Sequence, residues 1–397
     1  MPTEPNKRIC ISGSGVVSAI GIGKEESAEA LLAGRRGLEC PRFLKTKLST
    51  LPVGEVKFSD GQLMEMLGIP STQTVPRTSL MAILAVQEAL REAIPPEGSR
   101  MAFISGTTVG GMDITERIAA GEPGAGSLKG KWDCGDCSNA VADYFGTFSL
   151  VTTPSTACSS AANSLILGAR LLQAGLVDMV VAGGAECLTR FHLNGFHSLM
   201  VVDPEPCRPF DASRAGLNLG EGAAYLVLET EAHARARGAC IQGFLDGWGN
   251  ACDAYHQTAS SPDGEGAYLA MTEALKTAGL SPESIGYVNA HGTGTQNNDQ
   301  SESQALRRVF PDKMPPVSST KGFTGHTTSA SGSVEAVFCL LALQKGFIPG
   351  NPGFSTPFEG GIVPQRESVR VSSLEHVLCN SFGFGGNDSS ILLSKML

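Results

Sequence analysis

No stretch of the chain has the 18 consecutive apolar residues that would cross a bilayer. The most apolar part, Leu171 to Ala185, is broken by Gln173, Gly175, Asp178 and a pair of glycines. The first eight residues hold no apolar core of a secretory leader. The expectation is a cytoplasmic protein that does not engage a membrane. No basic stripe is present either. Thirty Lys and Arg stand against 39 Asp and Glu, a net charge of -9, which argues against nucleic acid as a partner. Cysteine shows no disulfide framework. The 11 residues are odd in number and scattered, and read as reduced thiols. Cys134-Gly-Asp-Cys137 has metal-ligand spacing, but no second pair or histidine cluster accompanies it, so no metal site is expected.

The chain does have length, glycine and a regular alternation of elements. Its 397 residues, 42% of them hydrophobic, are enough for a large core and two or three domain-sized units. Forty-eight glycines predict many tight turns. Strands are predicted at Lys7 to Val17, Arg100 to Ser105, Phe148 to Pro154, Met179 to Ala182 and Leu226 to Leu228. Helices are predicted at Ser27 to Ala33, Ser79 to Ala93, after Cys158 as far as Gly175, and over Glu229 to Arg237, while residues 34–76 read as irregular. The second half passes similar stations: strands from Cys240 to Trp248, Ile285 to Asn289, Pro316 to Thr320 and two around Phe382-Gly-Phe384, with helices at Gly266 to Thr277 and through Val334 to Gly346. Alternation of this kind predicts α/β layers with mostly parallel sheets. The order suggests a duplicated unit, residues 1–238 and 239–397, although no repeat is convincing residue by residue.

Three polar stations lie where buried strands end or helices begin. Cys158, in Thr156-Ala-Cys-Ser-Ser160, follows a strand and is predicted in the first turn of a helix, where free N–H groups and the helix dipole favour a nucleophilic thiolate. A small buried core cysteine fits the same surroundings. His291 opens a Gly/Thr loop, His291-Gly-Thr-Gly-Thr295, and an ordinary loop histidine fits there too. Lys321 and His326 share Ser318-Ser-Thr-Lys-Gly-Phe-Thr-Gly-His326 between apolar elements. A buried lysine needs a partner, and Glu335 on the next helix is the candidate; a solvated loop lysine is the alternative. In parallel α/β sheets reactive groups collect outside the carboxyl ends of strands, so Cys158 and His291 are placed to meet. Asn380-Ser-Phe-Gly-Phe-Gly-Gly386 offers either close backbone approach with an N–H for an oxyanion, or a plain turn with two core phenylalanines.

Five blocks in order resemble the β-ketoacyl-acyl carrier protein synthases. They are Ser155-Thr-Ala-Cys158-Ser-Ser, Gly220-Glu-Gly222-Ala, Asn289-Ala-His291-Gly-Thr-Gly-Thr295, Ser319-Thr-Lys321 with Gly325-His326, and Asn380 to Gly386. The resemblance implies a thiolase-like fold, two βαβαβαββ halves in five αβαβα layers, and a homodimer, with a heterodimer as the alternative assembly. The Cys-His-His set is similar to that of the elongating type. It implies acyl transfer to Cys158, an oxyanion hole from the N–H groups of Cys158 and Phe384, with Phe384 also a gate, and decarboxylative condensation with malonyl-acyl carrier protein beside His291 and His326. It further implies that Lys321 orders the site through Glu335, that Asp299 supports it, and that Thr293, Thr295 and Phe382 line the phosphopantetheine arm. No metal or redox cofactor is implied. The pathway is fatty acid or polyene and polyketide synthesis, and departures from the usual pattern at 296–298 and 387–388 tilt it to the latter. Ser198-Leu-Met-Val-Val-Asp203 lacks the arginine that many members use to grip the carrier, leaving Arg35/Arg36, Lys45/Lys47 and Lys129/Lys131 as candidate docking charges. The competing reading is a non-catalytic, chain-length-factor-like subunit, which usually loses the nucleophile.

Overall fold

The computed structural model describes residues 7–396. The N-terminal residues 1–6, part of the stretch read for a leader, lie outside it. Ten strands build the frame. In the first half they are β1 (Ile9–Ser18), β2 (Met101–Gly106), β3 (Leu150–Thr152), β4 (Met179–Glu186) and β5 (Gly222–Thr230). In the second they are β6 (Gly243–Cys252), β7 (Tyr287–Asn289), β8 (Val317–Ser318), β9 (His376–Gly383) and β10 (Asn387–Ser394). They run side by side in the order β3-β2-β4-β5-β1-β6-β10-β9-β7-β8. Numbered within its own half, each group of five has the order 3-2-4-5-1, and the first strands join them where Ile9 to Ile11 pair with Gly243 to Leu245.

The helices that matter are α1 (Arg77–Glu92), α2 (Ser160–Gln173), α3 (Arg190–Ser198), α4 (Glu265–Ala278), α5 (Gln296–Val309) and α6 (Ser331–Lys345). Helix α1 covers β1 and β5, and α4 covers β6 and β10. Between the two groups of strands lie α2 and α6, in contact with each other, so the layers run αβαβα as expected. Helix α6 is buried on every side from Ser331 to Leu343, which is why its apolar residues show no single face.

Two repeats at the level of single residues escaped the sequence reading. The first strand of each half carries Gly-x-Gly. A Cβ on Gly13, Gly15, Gly247 or Gly249 would stand 2.2, 2.1, 2.2 or 2.1 Å from a carbonyl oxygen of Ala89, Ala85, Ala274 or Ala270, so only glycine lets α1 and α4 sit this close. Three residues before each central helix a non-glycine residue takes a left-handed backbone, Ala157 at φ 52° and Thr328 at φ 48°. Such residues cost about 1–3 kcal/mol and persist where surrounding structure fixes them.

Other expectations are corrected. The sheet is mixed, not mostly parallel: β1 pairs antiparallel with β5 and β6, and β10 with β9 and β6. β9 and β10 form a hairpin joined by residues 384–386, but the other antiparallel partners lie far apart in sequence and leave no mark in local periodicity. β3 is a half-exposed edge, not a buried strand. A helix at Asp60–Leu67, opened by a Ser59 capping box, interrupts the stretch read as irregular. No helix among the described residues is long and apolar enough to cross a membrane.

Candidate active site

Cys158 stands at the elbow between β3 and α2. The turn is tied internally: the Thr156 amide donates to Ser160 Oγ and the Ser159 amide to the Thr156 carbonyl. Helix α2 begins at Ser160, so Cys158 precedes the helix instead of lying in its first turn. The expected thiolate is corrected with it. Burial pushes the Cys158 thiol up to about 11, against the opposing pull of Lys321 and of the Phe384 amide. The residue rests as a thiol.

His326 faces it, with Nε2 3.1 Å from Cys158 Sγ. The histidine is held from the backbone: its amide donates to the Asn218 carbonyl at 2.7 Å, and its carbonyl accepts from the Gly220 amide at 2.9 Å. The Gly220-Glu-Gly222 block thus serves as its rest. The ring of His291 lies 5.2 Å from that of His326, nearly perpendicular, and 5.7 Å from Phe382. Burial, then the Lys321 charge, then the neighbouring histidine lower the pKa of His291 far below the usual value; burial, Lys321 and His192 do the same for His326. Both rings are neutral at physiological pH.

Lys321 and Glu335 meet in the interior as a 2.5 Å pair, with side chains 1% and 3% exposed. Burial raises the Glu335 carboxyl, and the lysine opposes that. Glu302 was missed by the sequence reading. Its two oxygens accept from the amides of His291 and Gly292 at 2.8 Å each, and Asn380 Nδ2 donates at 3.1 Å. The helix that carries it, α5, was itself not predicted, because most of its polar residues from Asn298 to Ser303 are buried and give no apolar stripe. Burial lifts this carboxyl to about 7. Asp299 accepts from the amides of Phe210 and Gly294 and so pins the loop after His291. Asn387 was also missed; its Oδ1 accepts from Ser159, Asn163 and Asn250 behind the cysteine elbow.

A cleft of about 350 Å³ leads to this group, lined by Cys158, His291, His326, Thr293, Thr295, Phe382 and Phe384 among others. The hydroxyls of Thr293 and Thr295 bond each other at 2.8 Å. Phe384 is 37% exposed and stacks on Phe196 at 5.9 Å, and both rings line the cleft together with Cys158. The remaining candidates stand elsewhere. Cys137 bonds Ser79 and Cys134 donates to the Thr108 carbonyl, and all eleven cysteines are free. Arg36 is no surface charge; its guanidinium donates to the carbonyls of Gly322 and Cys207. None of Arg35, Lys45, Lys47, Lys129 and Lys131 lines the cleft.

Comparison with known proteins agrees with this arrangement. Residues 6–234 match the model of the β-ketoacyl synthase N-terminal domain and residues 242–355 that of the C-terminal domain. A 3-oxoacyl-[acyl-carrier-protein] synthase 2 of Vibrio cholerae is 35% identical, covering 98% of this chain and 99% of its own. A chain of the ishigamide ketosynthase/chain length factor superposes with a TM-score of 0.88 at 32% identity, covering 99% of this chain and all of its own. A chain of a ketosynthase in complex with its chain length factor from Xenorhabdus doucetiae gives 0.83 at 32% identity, with full coverage of both chains. The chain belongs to the β-ketoacyl synthase family.

Proposed function

We propose that the protein is an elongating condensing enzyme that extends a carrier-bound acyl chain by two carbons. In the first step Cys158 Sγ attacks the carbonyl of an acyl thioester, passing its proton to His326 Nε2. The oxyanion receives the amides of Cys158 and Phe384. The carrier thiol leaves with the proton, and the acyl group stays on sulfur. A malonyl thioester then lies along Thr293 and Thr295 with its carbonyl at His291 and His326. The bond to its carboxylate breaks and CO2 departs. The electron pair enters the enolate, which the two neutral imidazoles stabilise as donors, His326 once its ring proton has moved from Nδ1 to Nε2, without supplying a competing proton to carbon. The enolate carbon attacks the acyl carbonyl, the C–S bond to Cys158 breaks, and a β-ketoacyl thioester is released. Loss of CO2 drives the bond formation.

The observation that carries the reading is a buried thiol 3.1 Å from a neutral histidine, with a second neutral histidine beside it. A non-catalytic subunit has no use for this arrangement. The reading is tested by intact mass after incubation with acyl-carrier proteins of several chain lengths. A gain of one acyl mass that is absent in Cys158→Ala supports it; an unmodified wild-type protein at every length overturns it. We also propose a homodimer, for which native mass spectrometry reads twice 41.3 kDa.

A further inference from the structure

A second cavity, of about 370 Å³, shares no lining residue with the catalytic cleft. It is a concave space of the size that small ligands occupy. Its walls are the turn after β1, the segment from Arg35 to Arg42, and Lys57 with Phe58. Arg35, Arg36, Arg42 and Lys57 line it against two carboxylates, Glu26 and Glu39. That is an excess of two positive charges in a chain whose net charge is -9.

The carboxylates leave these cations short of partners. Glu26 accepts from the Ile22 amide at 2.9 Å. Glu39 is shared, 2.5 Å from Arg42 and 3.6 Å from Lys57. Lys57 Nζ also donates to the Gly37 carbonyl at 2.7 Å. Arg36 has no carboxylate. Its Nε and Nη2 donate to the carbonyls of Gly322 and Cys207, which fixes the guanidinium and leaves Nη1 without a hydrogen bond among the described residues. The Arg35 guanidinium has neither a hydrogen bond nor an ion pair among the described residues. Burial is the chief cause that lowers the pKa of Arg36 and of Lys57. Cations drawn partly out of water without a matching anion are destabilised, and an anion in the cavity offsets that. Guanidinium forks match the oxygens of a phosphate, which takes several charge-assisted hydrogen bonds at once.

We infer that this cavity binds the phosphate groups of a small molecule through Arg35, Arg36 and Lys57. Free inorganic phosphate and a phosphorylated organic molecule offer the same oxygens. Ile20 and Phe58, which complete the lining, favour the organic one, because they give an apolar wall beside the cations. The inference stands apart from the condensation reading and uses none of its residues.

The test is isothermal titration of the full chain with potassium pyrophosphate and, separately, with adenosine diphosphate, in about 0.15 M NaCl so that diffuse surface attraction is screened. One-to-one binding with a Kd of about 100 µM or tighter is expected. Arg35→Glu removes a side chain that holds nothing else, and Lys57→Gln keeps a donor for the Gly37 carbonyl without the charge. Each weakens binding about tenfold, the worth of one charge-assisted hydrogen bond, with the melting temperature unchanged. Cys158→Ala and Lys129→Glu/Lys131→Glu bind as wild type does. Tighter binding of adenosine diphosphate than of pyrophosphate supports the organic source, and equal binding the inorganic one. No binding of either at about 5 mM overturns the inference. So does an affinity unchanged in either Arg35→Glu or Lys57→Gln, or one lost in Lys129→Glu/Lys131→Glu.

Discussion

The resting state of Cys158 can be read by alkylation. With its thiol near 11, about one molecule in ten thousand is ionised at pH 7, against about three in a hundred for a cysteine of pKa about 8.5. The thiolate fraction is thus about 300-fold smaller. A more basic thiolate is a better nucleophile, with a Brønsted slope of about 0.4–0.5, and that returns roughly half of the deficit on a logarithmic scale. The net expectation is a rate roughly 20- to 30-fold below that of an exposed thiol at pH 7. The profile is more telling than the rate. Iodoacetamide modification of Cys158, followed by peptide mass with Cys158→Ala as the control for the other ten cysteines, rises about tenfold per pH unit from 7 to 10 without levelling. A plateau with an apparent pKa near 7 or below would mean a thiolate–imidazolium pair between Cys158 and His326, and would refute both the burial argument and the neutral histidines.

Four further outcomes follow from the geometry. Lys321→Ala leaves Glu335 buried and unpaired and costs about 3–5 kcal/mol in denaturant unfolding, while Lys321→Met/Glu335→Leu recovers most of it; equal losses would show that the pair is not the cause. In the same Lys321→Ala protein the NMR-measured pKa values of His291 and His326 rise, because the Lys321 charge lowers both. Asp388 is pushed up to about 8, chiefly by burial and then by Asp253, so its folded value lies above its unfolded one. Its contribution is present at low pH and is lost as pH rises through about 8. The melting temperature of Asp388→Asn accordingly gains on wild type between pH 5 and pH 9, and a constant difference would contradict this. Gly249→Ala forces a Cβ to 2.1 Å from the Ala270 carbonyl and destabilises by about 1–3 kcal/mol or more, whereas Gly126→Ala, with open space around it, stays near wild type.

The parts of this protein legible in its sequence are those fixed by local signals. Cys158, His291 and His326 each follow a strand end in a run of small residues, and the family's blocks name them together. Glu335 was found because a buried lysine demands a carboxylate. What stayed hidden depends on distant chain. Glu302 sits on α5, a helix the sequence reading did not predict, and only the fold brings it under the His291 amide. Asn387 joins three side chains from 163, 159 and 250. The sheet's mixed direction follows from which strands meet, which periodicity does not encode. The thiolate expectation failed because it weighed the helix terminus and not the burial that opposes it, and the elbow puts Cys158 ahead of that terminus. The two Gly-x-Gly strands were visible in sequence, but their meaning required seeing the helix backbone against them.

The most direct test of the central claim is a chase. Wild-type protein is charged with a defined acyl group on Cys158, freed of excess donor, and mixed with malonyl-carrier protein. The account predicts that the acyl mass leaves the enzyme while one CO2 is released and the carrier gains a β-ketoacyl chain two carbons longer than the primer, and that His291→Ala keeps its acyl group. An acyl group that leaves only as free acid, or a malonyl-carrier protein that stays intact, would contradict it.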